Sequence, residues 1–387
     1  MKLKKWLTAT NILSILPLTA ISCIKVDKEK IDKLNDIINL QDEKLATKET
    51  EINQLKKALE AINKEKEVIS QKINSASNIA TNLWNSFSAN KDVTTKQAYE
   101  NAKRIFDIML KQEGIDTKLV DTTKEKVTLR AENDKFIPVV FMDLDDTVLN
   151  NFKVQNYFAL NTGFDFNTFE EYIKDASSDE VLGSIEFIKY VWSKGGIVMF
   201  NSNRLQKTSV DGSRRNLIKL GLEEKYAPDW VFWMKGVDLN SPMPWKNTSG
   251  GNNKEERMNA VNTKEWEIDG VKAKFRTIMR IGDDINDFND NFTKNNNAQS
   301  IKAEVKDKPF GKLFGNSNLE NKSIYFNPTT KSWETKNWSE SYIFISGNAS
   351  YGGWIKQLGF KNHAYSAQEG FDKLNEYLWV PKAKNKI

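Results

Sequence analysis

The sequence predicts an α/β fold: a Rossmann-like, doubly wound parallel sheet with a small, mostly helical cap, preceded by an N-terminal coiled-coil helix. Three observations lead to this prediction. Short apolar runs alternate with helical patterns from residue 137 to the C-terminus. A charged stretch without proline or glycine, residues 31–76, carries a heptad pattern. An aromatic-rich segment at about 152–183 has a mostly helical pattern and is interpreted as the cap.

The composition limits the class of protein. The chain has 387 residues, 39 % of them hydrophobic, and the part after the heptads is long enough for one large core or a core with a cap. Lys and Arg number 57 against 52 Asp and Glu, and this mild surplus does not predict binding to a nucleic-acid duplex. A single cysteine excludes an intramolecular disulfide and a cysteine metal cluster.

The N-terminus has the pattern of a lipoprotein signal peptide over residues 1–22. Basic residues precede an apolar stretch, residues 6–21, that is shorter than the span of about 20 residues a membrane helix needs. Cys23 follows, and we predict that it is lipidated and anchors an extracytoplasmic protein to the membrane at the cell surface. An uncleaved short anchor is the alternative, and it would also leave the body outside the cell.

Residues 23–76 are predicted to form a lipid-anchored coiled-coil stalk. The first seam position of the heptad holds Ile31, Ile38, Leu45, Ile52, Leu59 and Ile73, and the second holds Leu34, Leu55, Ile62 and Ile69. Gln41, Lys48 and Lys66 interrupt the two seams. A helix of roughly 45 residues would reach about 70 Å and could bring copies together as a homo-oligomer. The alternative is a solvated helix that folds back on the body.

The rest of the chain is predicted as a helical lead-in over 77–134, packed on the core, and a main domain over 135–387. Residues 94–97 resemble a capping box that opens a helix. Apolar runs predict strands at 137–142, 196–201, 230–234, 276–281 and 342–346, and helical patterns cover 213–220 and 365–378. The polar segments 236–252 and 311–340 are interpreted as surface insertions.

The first of these strands ends in Asp143-Leu144-Asp145-Asp146-Thr147. The carboxyl edge of a parallel sheet is where open α/β folds bind ligands. Three carboxylates so close together would raise one another's pKa unless a cation compensated them. On this motif alone, a divalent metal site and a solvated acidic turn are equally good interpretations, and the residues at the later strand ends favour the metal site.

Later strands also end in polar residues. Strand 196–201 leads into Ser202-Asn203-Arg204, and a hydroxyl with neighbouring backbone amides suits phosphate binding. Strand 276–281 leads into Gly282 and Asp283, where the glycine lets the backbone turn sharply. Both strand ends are expected at the edge that carries the first acidic cluster.

A lysine is expected at the same edge. Lys254 begins a helical pattern that could bring its ammonium to the rim. Lys235 and Lys246 are competing candidates for this position.

In this order the residues resemble the four motifs of the haloacid dehalogenase superfamily of phosphohydrolases, matched as Asp143/Asp145/Thr147, Ser202, Lys254 and Asp283/Asp287. Residues 348–354, NASYGGW, are similar to the NxxYGxW segment of bacterial lipoprotein acid phosphatases. These are the class C nonspecific acid phosphatases, which include outer-membrane 5′-nucleotidases. The resemblance covers roughly residues 78–380 and not the stalk. Ser202 replaces the usual threonine, and Asn150 replaces a usual acid.

The resemblance implies a catalytic role for the first acidic cluster. Asp143 would be the nucleophile, and Asp145 would be the general acid and then the general base. Mg²⁺ would bind the side chains of Asp143 and Asp283 and the backbone carbonyl of Asp145.

The resemblance also implies supporting roles. Ser202, Asn203 and Lys254 would bind the phosphoryl group. Asp287 would orient the metal site or the lysine, and Thr147 would fix the loop unless it is a simple turn residue. Tyr351 could stack on a nucleobase, with a packed core tyrosine as the alternative.

The predicted function is a Mg²⁺-dependent acid phosphatase at the cell surface. It would hydrolyse small phosphomonoesters, with 5′-nucleotides as the expected substrates, through an aspartyl-phosphate intermediate. One alternative is an adhesin or scaffold lipoprotein with an inactive phosphatase-like domain, against which the intact pair Asp143 and Asp145 argues. The other is a phosphotransferase that passes the phosphoryl group to an alcohol.

Overall fold

The computed structural model describes residues 27–76, 79–161, 163–347, 349, 351–361, 365 and 367–376. The predicted signal peptide and Cys23 lie outside these residues, as does Asn348 of the NxxYGxW-like segment. The chain divides into two compact units, residues 1–68 and 69–387. The heptad segment and the acidic motifs therefore belong largely to different units.

The helices, in chain order, are α1 (Lys28–Ala76), α2 (Ile79–Phe87), α3 (Ala89–Met109), α4 (Phe152–Leu160), α5 (Phe166–Lys174), α6 (Ser184–Ser193), α7 (Gln206–Lys219), α8 (Lys254–Thr263), α9 (Asn286–Thr293), α10 (Ala298–Asp307), α11 (Pro309–Lys312), α12 (Gly353–Gln357) and α13 (Ala367–Asn375). The strands are β1 (Val120–Asp121), β2 (Thr128–Leu129), β3 (Ile137–Met142), β4 (Leu149–Asn150), β5 (Asp179–Glu180), β6 (Ile197–Phe200), β7 (Glu265–Ile268), β8 (Val271–Gly282), β9 (Lys322–Asn327), β10 (Ser332–Ser339) and β11 (Ser341–Phe344).

Helix α1 is 49 residues long. Its Lys, Glu, Leu and Ala residues have high helix propensity, and it contains no proline or glycine to end it. Its side chains from residue 28 to 67 are exposed. Within the described residues, no helix combines the length and the apolar character that a membrane span requires.

The central sheet confirms the predicted α/β class. Strands β11, β8, β3 and β6 lie in that order and pair in parallel, and β7 adds an antiparallel partner to β8. Every residue of β3 and β6 is buried, as expected for parallel strands covered by helices on both faces. The carboxyl ends of β3, β6 and β8 therefore lie side by side and can present side chains to one site.

Helix α3 packs onto this sheet through buried residues three and four positions apart: Tyr99, Ala102, Ile105, Phe106 and Met109. The approach is close, since a Cβ placed on Gly196 before β6 would lie 2.6 Å from the ring of Phe106. Only glycine fits between this helix and the strand.

The predicted start of α3 is wrong. The helix begins at Ala89, before residues 94–97, because the Ser88 side chain accepts a hydrogen bond from the Asn90 amide and forms the N-cap. The predicted helix over 213–220 is also too short, because α7 already begins at Gln206.

The predicted strand at 230–234 is wrong as a regular strand. Asp229–Val231 forms a single 3₁₀ turn, in which the Phe232 amide bonds to the Asp229 carbonyl. The chain then runs beside β6 with only a bridge between Phe200 and Phe232. Because the local turn takes up that amide, the apolar run cannot form a full ladder.

Two hairpins lie where the sequence predicted less order. Strands β7 and β8 are joined by Asp269 and Gly270, both with positive φ, so β8 begins earlier than residue 276. The polar segment 311–340 contains the β9–β10 hairpin, whose Phe326 and Trp333 pack against Phe292. This segment is therefore a folded part of the domain with its own aromatic cluster.

The segment interpreted as a cap holds two helices, α4 and α5. It leaves the core at β4 and returns at β5, which pair antiparallel and close its base. Helix α2 packs on α4, and α5 packs on α7. The cap is thus packed against one helix before it in the chain and one helix after it.

Candidate active site

Asp143 follows β3 directly, and its amide donates to the Ile281 carbonyl of β8 at 3.0 Å. The carboxylate is therefore fixed between two strands at the carboxyl edge of the sheet. Its Oδ1 lies 2.7 Å from the ammonium of Lys254, which also lies 2.7 Å from Oδ1 of Asp287. A buried lysine thus bridges the carboxylates that end β3 and begin α9.

Asp283 completes an acidic cluster at this edge. Asp143, Asp283 and Asp287 each offer an oxygen within 4.8 Å of the other two, and all three residues are buried. Gly282 permits this closeness, because a Cβ there would lie 2.3 Å from the Asp287 side chain. The sequence placed Asp287 outside the metal ligands, whereas the structure brings its carboxylate into the same group of oxygens.

These carboxylates are in electrostatic conflict. Burial raises the pKa of Asp143 to about 7; Lys254 opposes the rise, and Asp287 adds to it. Burial, with Asp287 and Asp146 nearby, holds the pKa of Asp283 well above its usual range. A divalent cation among these oxygens would relieve the repulsion, and an all-oxygen set of buried carboxylates fits such an ion.

The start of α8 explains why Lys254 is the lysine at the site. Asn253 caps the helix in a capping box with Glu256, and the amides of Lys254 and Glu255 donate to Asp290 at 3.0 and 2.9 Å. These bonds tie the helix start to α9. The competing candidates, Lys235 and Lys246, are both exposed.

Asp145 has a different environment, dominated by Arg204. The guanidinium donates to Oδ1 of Asp145 at 3.0 Å through Nε and at 2.8 Å through Nη2. Asn151 also donates to that oxygen, and Ser202 Oγ lies 3.4 Å from Oδ2. Burial opposes ionisation, but the bonds from Arg204 and Asn151 outweigh it and lower the pKa of Asp145.

Of the other predicted site residues, Ser202 and Thr147 are buried and Asn203 is exposed. Ser202 is buried, and its Oγ accepts from the Arg204 amide at 3.1 Å. Thr147 is buried, and its hydroxyl donates to Asp283 at 3.2 Å, so it links the first and last acidic loops. Asn203 is exposed at the rim.

Asn201 and Arg257 were missed by the sequence reasoning. Arg257 is fully buried in α8 and donates to Oδ1 of Asn201 at 2.7 Å and to the Ser202 carbonyl at 3.2 Å. The Asn201 amide group in turn donates to the Lys254 carbonyl at 3.1 Å. Together they tie the Ser202 loop to the helix that carries Lys254.

Asp146, for which no role was predicted, contacts Tyr351. It adopts a positive φ of 55°, and its carboxylate accepts from the Asn151 amide at 2.9 Å and from the Tyr351 hydroxyl. The segment after β11 is also held by the Gly353 amide, which donates to Asp284 at 2.7 Å. Tyr351 is therefore positioned by contacts to both acidic loops.

Lys91 is a second buried lysine, and no sequence motif indicated it. Its ammonium donates to the Ser346 carbonyl, and a Cβ on Gly347 would lie 1.9 Å from its Nζ. Burial lowers the pKa of Lys91, although Asp146 and Asp283 act in the opposite direction. Lys91 thus attaches α3 to the segment that leads to Tyr351.

We expect Lys91→Met to separate stability from activity. The buried ammonium bonds to a backbone carbonyl, so its removal should leave the melting temperature unchanged or higher. The segment before Tyr351 should loosen, and KM for the substrate should rise. Melting curves and steady-state kinetics would measure both effects. Lys96→Met, an exposed change on the same helix, is the matched control. A large fall in melting temperature with unchanged KM would contradict this role.

A parallel α/β sheet with these acidic loops, a buried lysine and a strand-end serine at its carboxyl edge defines a haloacid dehalogenase-type phosphohydrolase. The family description "HAD superfamily, subfamily IIIB (Acid phosphatase)" matches residues 41–354, and the chain belongs to this family. It is therefore an acid phosphatase, a phosphomonoesterase acting on small phosphoesters. A search of curated proteins finds no match.

Solved structures agree on the fold. The chain is similar to the class C acid phosphatase from Bacillus anthracis, with a TM-score of 0.54 and 19 % identity, covering 80 % of this chain and 100 % of that chain. The tungstate-bound structure of the class C acid phosphatase from the same organism gives the same TM-score and coverage at 20 % identity. At this identity the likeness supports the fold, and the roles of individual residues rest on the geometry of this chain.

Proposed function

We propose that this acid phosphatase hydrolyses small phosphomonoesters, 5′-nucleotides among them, through an aspartyl-phosphate on Asp143 in a Mg²⁺-dependent reaction. The observation that carries the proposal is the Asp143 carboxylate held 2.7 Å from Lys254 beside Asp283 and Asp287. A phosphate-release screen over nucleotides and sugar phosphates, with and without Mg²⁺, tests it. Release that is independent of the metal, or absent from every nucleotide, would count against it.

In the first step, an oxygen of Asp143 forms a bond to phosphorus as the bond from phosphorus to the alcohol oxygen breaks. Lys254 would bind a phosphoryl oxygen and offset negative charge in the transition state. Ser202, whose Oγ lies 3.4 Å from Oδ2 of Asp145, would donate to another phosphoryl oxygen. Asp145 gives its proton to the departing alkoxide.

In the second step, Asp145 takes a proton from water, which attacks phosphorus and releases Asp143 and phosphate. Arg204 favours the ionised form of Asp145, which is the form this step needs. The first step needs the protonated form, so its rate should rise as pH falls, in keeping with an acid phosphatase. A bound Mg²⁺, held by Asp143, Asp283 and the Asp145 carbonyl, would lower the repulsion between the carboxylate and an anionic phosphate.

Arg204→Met tests this account of Asp145. Removing the guanidinium should raise the pKa of Asp145, because the largest influence that favours its ionised form is lost. Asp145 would then stay protonated to higher pH, so the alkaline limb of the pH profile of kcat/KM should shift to higher pH. The fall in kcat/KM at the optimum should stay within the roughly 10²–10⁴-fold that general acid–base catalysis contributes. Arg215→Met, which changes an exposed arginine of the neighbouring helix α7, is the control. An unshifted profile in Arg204→Met would contradict the role.

The proposed preference for nucleotides rests on Tyr351. The contact of its hydroxyl with Asp146 fixes the ring beside the acidic loops, where it could stack on a base. We expect Tyr351→Ala to raise KM for a nucleoside monophosphate by about 5- to 150-fold, the equivalent of about 1–3 kcal/mol, but not for a sugar phosphate. Tyr351→Phe retains the ring and should lose less. Equal losses on both substrates would show that the tyrosine is only structural.

We further propose that Cys23 is lipidated and that the protein is anchored at the cell surface after removal of residues 1–22. The support is the sequence pattern around the single cysteine. Incorporation of a labelled fatty acid, lost in Cys23→Ser, tests the anchor. Labelling that persists in the variant would reject Cys23 as the site.

The assembled carboxylates and the family membership speak against an inert scaffold. Transfer to an alcohol instead of water remains a candidate, because Asp145 could deprotonate either acceptor. Product analysis with an added nucleoside acceptor separates the two reactions. Free phosphate as the only product would exclude transfer.

A further inference from the structure

Helix α1 exposes an apolar seam along most of its length. The described apolar residues at the two seam positions are 44–69 % exposed: Ile31, Leu34, Ile38, Leu45, Ile52, Leu55, Leu59, Ile62 and Ile69. They recur at alternating intervals of three and four residues, the period of a coiled coil. A scattered exposed leucine needs no partner, but a seam that recurs along a helix of 49 residues, interrupted only at Gln41, Lys48 and Lys66 among the described seam positions, predicts one.

We propose that two copies of this chain associate through α1 as a parallel, in-register, two-stranded coiled coil. The occupant of the seam is thus the same seam of a second copy. This proposal does not depend on phosphatase activity. Three features of the helix favour this arrangement: the charges beside the seam, the polar residues within it, and the residue types that fill it.

The charges beside the seam fit parallel helices in register. In a parallel pair, a residue just before the first seam position faces the residue five positions later on the partner. Lys44 would then face Glu49, and Glu51 would face Lys56, so each copy contributes both attractive pairs. All four side chains are exposed and available for these contacts.

A parallel pairing shifted by one heptad would lose all four attractive contacts of the in-register pair and gain only two others, from Lys30 and Lys44 to Asp42. Lys44 of one copy would face Lys56 of the other, and Glu51 would face Glu49. Like charges in these positions are repulsive and oppose the shifted register. The charge pattern therefore selects the register as well as the direction of the helices.

The polar residues within the seam give the same register. In register, Gln41 meets Gln41 and Lys48 meets Lys48, each in a layer where the long side chain can extend toward water. A shift of one heptad would place Lys48 against Leu55 and Gln41 against Leu34. That pairing would bury polar groups against leucine, so the layers of Leu34 and Leu55 would no longer be wholly apolar.

The number of strands follows from the residue types. In the heptads Ile31/Leu34 and Ile52/Leu55, isoleucine at the first seam position is followed by leucine at the second, the combination that favours two strands. Leu59/Ile62 has the opposite order, which favours more strands, so the two-stranded state rests on the two heptads that carry isoleucine first. Lys66 at a first position is a polar seam residue of the kind that specifies oligomer state.

The chain beginning at residue 23 with Cys23→Ser provides the test, with its mass measured by light scattering after size exclusion. We expect twice the monomer mass, and Leu55→Lys should yield the monomer. Leu40→Lys is the matched control, because Leu40 is equally a leucine of α1, is 53 % exposed and lies outside the seam. A monomeric parent, a threefold mass, or equal disruption by both variants would overturn the proposal.

Two further variants test direction and register. Leu45→Cys in the same background should form an intermolecular disulfide under mild oxidation, since only a parallel, in-register pair brings the two introduced sulfurs together. Glu51→Lys and Lys56→Glu should each weaken the dimer, and the double variant should restore it. A Leu45→Cys dimer that does not cross-link, or a double variant that fails to recover the dimer, would contradict a parallel in-register pair.

Discussion

Asp143→Asn should abolish phosphate release. The amide cannot act as the anionic nucleophile, and removal of a nucleophile in well-studied hydrolases lowers kcat by about 10⁶-fold. We expect a loss of at least about 10⁴-fold, measured as phosphate released from a nucleoside monophosphate at saturating substrate and Mg²⁺. The fold should survive, because asparagine is nearly isosteric and the backbone bond to Ile281 remains.

The control for this change is Asp211→Asn, a carboxylate on α7 whose side chain is 81 % exposed. It should keep the activity of the parent protein. The comparison separates loss of the nucleophile from a general effect of removing one negative charge. If Asp143→Asn retained more than a small fraction of the activity while Asp211→Asn was unaffected, another residue would have to attack phosphorus.

Asp283→Asn should remove the effect of metal on stability. A ligand that binds only the folded state at 100 times its Kd stabilises that state by about 2.7 kcal/mol, so Mg²⁺ should raise the melting temperature of the parent protein. The variant should lose most of this rise. Mutation of a residue that only hydrogen-bonds to a metal ligand typically lowers activity by roughly 10–100-fold. Because Asp283 would bind the metal directly, the rate of phosphate release in the variant should fall by more than this.

In chelator, the same variant should be at least as stable as the parent. Burial and neighbouring carboxylates hold the pKa of Asp283 well above its usual range, so its ionised form costs folding free energy in the absence of a cation. Because the folded-state pKa is raised, this cost appears as pH rises above the unfolded-state value, and asparagine removes it. Melting curves with chelator and with Mg²⁺ measure both effects. An unchanged metal-induced rise in the variant would show that Asp283 does not bind the ion.

The meeting of Asp143 and Asp283 could be predicted because each follows a buried strand, and carboxyl ends of parallel strands share one edge. The structure shows these strands to be direct neighbours. The approach of Lys254 was harder to predict, since two other lysines competed for the position. The capping box and the hydrogen bonds to Asp290 place Lys254 at the site, and the bonds to Asp290 depend on how α8 packs against α9.

Other features of the site could not be predicted, because tertiary packing creates them. The hydrogen bond from Arg204 to Asp145 joins the loops that follow β6 and β3, and no sequence motif specifies how close these two loops lie. Asp146 adopts a left-handed backbone conformation that lets its carboxylate meet Tyr351. Lys91 lies on a helix outside every motif and reaches the site only because α3 packs against the end of β11.

The most direct measurement is the position of the phosphoryl group in the acid-quenched enzyme. A steady-state mixture with a nucleoside monophosphate and Mg²⁺ would be quenched, digested and mapped by mass spectrometry. We expect a phosphoryl adduct on Asp143, absent from the Asp143→Asn variant and from the enzyme in chelator. An adduct on another residue, or full turnover by Asp143→Asn, would contradict it.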